Sequence, residues 1–95
     1  MHQIIKQYGK PFVEELLDIL LIKRGEESSD YWRTFLLKYK LIKKSTKIIR
    51  SNVYHRTNYG DVGWVVRLKN GRDQYIISLV ILDIDLPQIR EELSE

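Results

Sequence analysis

The stretch VGWVVRLKNGRDQYIISLVILDI, residues 62–84, decides how the rest of the chain is read. Bulky apolar residues recur every second position through Val62, Trp64, Val66 and Leu68, the period of a half-buried strand. Asn70-Gly71 then supplies the residues that a two-residue type I′ turn needs at positive φ. Taken as that turn, it sets Lys69 against Arg72, Val66 against Tyr75, Trp64 against Ile77 and Val62 against Leu79. Apolar residues thus meet one another on one face. The other face receives Arg67 beside Gln74, Val65 beside Ile76 and Gly63 beside Ser78. From Tyr75 to Ile84 the apolar density is too high for a half-exposed strand and predicts burial on both faces.

Working back toward the N-terminus, residues 46–56 also alternate, giving three predicted strands at 46–56, 62–69 and 73–84. A four-residue turn at Thr57-Asn58-Tyr59-Gly60 pairs Arg56 with Asp61, Val53 with Trp64 and Ile49 with Leu68. Arg50, Asn52, Tyr54 and Arg56 then fall on the outer face, with Arg50 directly opposite Arg67. Like charges so placed repel, and a bound anion relieves them.

Ahead of the strands the period is helical. Pro11 suits the first turn of a helix through Ile22 that is apolar except for Glu14, Glu15 and Asp18, and Gly25 suits its stop. A second helix, capped by Ser28 or Ser29 with Asp30 in its first turn, carries Tyr31, Trp32, Phe35, Leu36, Tyr39 and Ile42 on one side. Arg33, Lys40 and Lys44 line another of its faces. After the third strand, Asp85, Pro87 and Gln88 predict the start of a short closing helix. Residues 1–95 therefore read as one small α+β domain. It has two N-terminal helices, a three-stranded antiparallel meander, a possible fourth strand at residues 2–6 and a short C-terminal helix.

The charge is asymmetric. Residues 28–56 hold eight basic side chains against Asp30 alone, whereas residues 83–95 hold five acids against Arg90. That pattern points toward a polyanion partner. With no cysteine, the chain has no disulfide, thiolate metal site or thiol nucleophile. It contains no run long enough to span a membrane and no leader pattern, which predicts a cytoplasmic protein.

Catalytic signatures are weak. Asp83 and Asp85 share a strand face only if the strand continues, and Asp85 is claimed by the helix cap, so no metal or cofactor is expected. Gly60-Asp61-Val62-Gly63 matches the bare GxxG pattern of KH loops but sits at a β-turn rather than between helices. The connection from Gly25 to Ser29 is longer than the tight turn of a helix-turn-helix unit. His55, beside Tyr54 and Arg56, is the one candidate for acid–base chemistry.

With a strand at residues 2–6 the order is β-α-α-β-β-β, and at that level the chain is similar to small toxins of the RelE and ParE type. The similarity lies in layout and in no residue motif. It implies a ribosome-dependent RNase with Arg50, Tyr54, Arg56 and Arg67 as positional analogues of the sheet's basic and aromatic residues.

The residues themselves favour a non-enzymatic module that binds nucleic acid, RNA or a single strand above duplex DNA. Its contacts are expected from Arg33, Lys40, Lys44, Arg50, Tyr54, Arg56, Arg67 and Lys69. The alternative is a protein-interaction or regulatory module, including a homodimer, docking through residues 12–22 or 75–84.

Overall fold

The computed structural model describes residues 1–23, 29–56 and 60–95, with the backbone alone at residues 29 and 54–56. Helix α1 spans Gln3–Tyr8 and α2 spans Lys10–Leu17, continued by a π-helical turn at Asp18–Ile22. Helix α3 (Ser29–Lys38) leads into strands β1 (Lys47–Arg56), β2 (Asp61–Asn70) and β3 (Asp73–Ile81). A 3₁₀ turn at Asp83–Asp85 precedes α4 (Leu86–Leu93). The class is α+β, and the sheet is an antiparallel meander ordered β1-β2-β3. The expected cap at Ser28 and most of the 57–60 turn lie outside the described residues.

The possible strand at residues 2–6 is a helix instead. Ile4, Ile5 and Tyr8 recur at helical spacing, with both isoleucines buried. The His2 imidazole accepts the Ile4 N–H at 3.3 Å and caps the first turn. Gly9 ends α1 at φ +90°, a conformation that side chains avoid, and lets the chain turn directly into α2. The order is therefore α-α-α-β-β-β-α, without the N-terminal strand on which the likeness to the toxins rests.

The apolar faces of α2 and its π-helical turn supply Phe12, Val13, Leu16, Ile19 and Leu20 to the core, all fully buried. That is why so apolar a helix is stable in this fold. Trp32 and Phe35 of α3 meet Trp64 of β2. The two indoles stack 4.6 Å apart, and Phe35 also stacks on Phe12 at 5.1 Å. Trp64 Nε1 donates to Ser51 Oγ on β1 at 2.9 Å, so its buried polar atom is satisfied.

The β2–β3 register differs from the expected one by two residues. Asn70 pairs with Asp73, Val66 with Ile77, Trp64 with Leu79 and Val62 with Ile81. The tight turn is Gly71-Arg72 rather than Asn70-Gly71, with the positive φ at Gly71 alone. A two-residue shift preserves side-chain phase, so the buried and outer faces remain as expected.

In the first hairpin Arg56–Asp61, Val53–Trp64 and Arg50–Arg67 pair as expected. A β-bulge between Ile48 and Arg50 then brings Ile48, not Ile49, opposite Leu68. Ile49 is left 48% exposed instead of buried.

Strand β3 is an edge, and the expected burial on both its faces does not occur. Leu79 and Ile81 point inward and are buried, whereas Ile76 (54%) and Val80 (45%) are open on the outer face. The strand also stops three residues early. The Asp83 N–H donates to Asp61 Oδ1 at 2.9 Å, and the chain turns away with Ile84 82% exposed.

Candidate nucleic-acid interface

Alternation of side chains along β1 and β2 collects a set of cations on the sheet's outer face. Lys47 lies opposite Lys69, and Arg50 lies opposite Arg67, two successive like-charged cross-strand pairs. All four residues are exposed. No ion pair joins any of them to a carboxylate among the described residues. With the Asn52 amide oriented to suit its neighbours, its oxygen accepts from Arg50 Nε at 3.1 Å, which helps hold the guanidinium over the face.

The acidic tail does not neutralise this patch through Glu92. That carboxylate accepts the His2 N–H at 2.7 and 2.9 Å and pairs with the N-terminal ammonium at 3.3 Å. Partial burial pushes its pKa up, but the His2 N–H and the ammonium outweigh that and hold it below the ordinary value of 4.5.

Three apolar side chains flank the cations. Ile76 sits across from Arg67, Val65 pairs with Ser78, and Val80 pairs with Gly63. The face is thus basic over one end of β1 and β2 and apolar toward β3. Lys47 stands in the basic set as firmly as Lys69; its phase is legible from Arg50 only once the bulge at Ile49 is known.

The remaining expected contacts lie elsewhere. Helix α3 ends at Lys38, and Lys40 comes two residues later at φ +60°, so Arg33, Lys40 and Lys44 do not share a helical face. The Arg33 guanidinium donates to the carbonyl oxygens of Lys44 and Thr46 and so latches α3 to the start of β1. Thr46 is itself buried, with its hydroxyl accepting the Lys43 N–H at 3.1 Å. Lys40 and Lys44 are exposed in this connection, off the sheet. Tyr54 and Arg56 hold backbone register positions opposite Gly63 and Asp61. Their side chains, and that of His55, are outside the described part of the molecule.

Asp83 and Asp85 occupy a 3₁₀ turn rather than one strand face. Asp85 makes no side-chain cap to α4; its Oδ2 instead lies 3.4 Å from His2 Nε2. Among the described residues no cluster of three histidine or acidic side chains is placed to hold a metal.

A groove of about 690 Å³ is lined by Glu15, Asp18, Leu21, Tyr39, Arg90 and Leu93 among others. Its Glu15 is already engaged, accepting from Tyr39 Oη at 2.6 Å and Lys38 Nζ at 3.2 Å. Burial raises the Glu15 pKa, but these two donors more than reverse it and leave it below 4.5. The groove is thus a mixed acidic and apolar surface, unlike the cationic sheet face.

No helix among the described residues is long and apolar enough to cross a membrane. No family model, curated protein or solved structure matches this chain.

Proposed function

We propose that this chain is a small non-enzymatic nucleic-acid-binding module whose contact surface is the outer face of the sheet. The observation that carries the reading is the pair of adjacent like-charged rows, Lys47–Lys69 and Arg50–Arg67, exposed and joined to no carboxylate among the described residues. Such an arrangement costs free energy when empty and gains it when phosphates sit between the rows. Val65, Ile76 and Val80 beside the arginines provide apolar surface for bases. A three-stranded face is broader than the helix or two-stranded ribbon that a B-DNA major groove admits, which favours RNA or an unpaired strand over duplex. The test is fluorescence anisotropy with a labelled single-stranded RNA and a duplex DNA at low salt. Arg50→Ala and Arg67→Ala should each weaken binding, and the RNA should bind more tightly than the duplex. Unchanged binding in both variants removes the proposal.

A second reading, self-association, is favoured by the exposed apolar edge at β3. Within residues 75–84 the outward residues are open, whereas residues 12–22 are mostly consumed by the chain's own core.

A further inference from the structure

The spacing of the four cations gives the outer face a direction. On β2, Arg67 and Lys69 are two residues apart and share a face, which separates them by about 6.8 Å along the strand. On β1, Lys47 and Arg50 are three residues apart, a spacing that would put them on opposite faces of a regular strand. The bulge between Ile48 and Arg50 absorbs the extra residue and sets them level with Lys69 and Arg67. Each strand therefore carries one gap between two cations. Charge-assisted hydrogen bonds of about 2.7–2.9 Å to two oxygens of one phosphate hold the donor nitrogens roughly 6–8 Å apart, which matches that gap. Directly opposed residues, with Cα atoms about 4.5–5.5 Å apart, leave less room for a phosphate between them. The two gaps lie side by side, one strand spacing apart. That is a little less than the separation of adjacent phosphates, and the flexible lysine and arginine stems make up the difference.

The channel between the rows continues onto β3, where Gln74 lies opposite Lys69 and Ile76 opposite Arg67. No cation stands on this stretch of the outer face. Gln74 and Ile76 are both exposed. The Gln74 amide has no hydrogen-bond partner among the described residues, whereas the Asn52 amide on β1 is already engaged by Arg50. Asp73, the acid next to Gln74 in the chain, has the opposite side-chain phase.

We infer that a single nucleic-acid strand crosses the sheet at right angles to its strands, and that Gln74 reads the base which follows the two phosphates. This rests on the nucleic-acid reading and gives that surface a path and a base preference. One phosphate sits between Lys47 and Arg50, the next between Lys69 and Arg67, and the following base lies over β3. There Ile76 offers apolar contact. The Gln74 amide presents a donor and an acceptor together, the pattern that pairs with N6 and N7 of adenine.

The test is fluorescence anisotropy at fixed salt with labelled oligoadenylate, oligocytidylate and oligouridylate of equal length. The parent chain should bind oligoadenylate roughly 5- to 10-fold more tightly than the other two, the low end for a bidentate base contact. Gln74→Ala should erase that preference and leave the slope of log affinity against log salt unchanged, because no phosphate contact is lost. Ser78→Ala, two residues further along the same face of β3 and outside the channel, should keep both the preference and the slope. Both sites are exposed, so the circular dichroism spectra should match the parent's. Absent binding, or binding that ignores Arg50→Ala and Arg67→Ala, overturns the nucleic-acid reading and this inference together. Binding that needs both arginines but shows no adenine preference, or keeps it in Gln74→Ala, overturns the role of Gln74 alone. A preference lost in Ser78→Ala and kept in Gln74→Ala places the strand lengthwise and overturns the crosswise path.

Discussion

Arg50 on β1 and Arg67 on β2 are direct cross-strand partners on the exposed outer face, and a second like-charged pair, Lys47 and Lys69, lies next to them. Without an anion this is a repulsive arrangement. Replacing Arg67 with Gln should therefore stabilise the unliganded fold by about 0.2–1 kcal/mol at low salt. The gain should shrink as salt screens the charges. Chemical denaturation at two ionic strengths checks this. A loss of stability on substitution would mean that Arg67 has an attractive role in the fold.

Arg33 separates fold from binding. Its guanidinium serves the carbonyls of Lys44 and Thr46, so Arg33→Met should destabilise the domain by roughly 1.5–3 kcal/mol, the scale of charge-assisted hydrogen bonds. Below the melting transition, the folded variant should bind nucleic acid as the parent does. A matched pair of melting curves and titrations reads both effects.

The buried Trp64 indole depends on one hydroxyl. Ser51→Ala leaves Nε1 without its acceptor inside the core, at a cost of about 1–3 kcal/mol. Ser51→Thr retains a hydroxyl and should recover part of that loss in the same urea titration.

Acid should weaken the molecule through Glu15 and Glu92. Both folded-state pKa values are depressed, Glu15 by Tyr39 and Lys38 against an opposing effect of burial. Glu92 is depressed likewise by the His2 N–H and the N-terminal ammonium. A depressed carboxylate contributes fully above its unfolded value, near 4.5, and loses that contribution as pH falls through the folded value. The melting temperature should drop below pH 4.5, and the slope there should flatten in Glu92→Gln. An unaltered slope in that variant would remove Glu92 from the account.

The faces of the sheet were legible because a period of two survives most errors of register. Placing the turn at Asn70-Gly71 instead of Gly71-Arg72 moved each β2–β3 pair by two residues, yet left Arg67 outward and Trp64 inward. The bulge at Ile49 was hidden because Ile48 and Ile49 are equally apolar and basic residues stand on both sides. Six residues at the N-terminus could not separate helix from strand by pattern, since tertiary packing of Ile4 and Ile5 decides it. No glycine or proline marks the end of α3; Lys40 takes the positive φ itself, and the Arg33 latch holds the connection to β1. A side chain bonded to backbone carbonyls leaves no trace in residue type, so Arg33 read as a surface cation. The excess of apolar residues at 75–84 was visible, but whether it meant burial or an open edge depended on the neighbouring chain order.

The most direct measurement is the salt dependence of single-stranded RNA binding by the parent chain and by the Arg50→Ala, Arg67→Ala double variant. Each phosphate contact removed should lower the slope of log affinity against log salt by about 0.7, so the double variant should lose about 1.4 from the slope along with much of its affinity. Equal slopes and affinities for the two proteins would contradict the assignment of the outer sheet face as the binding surface.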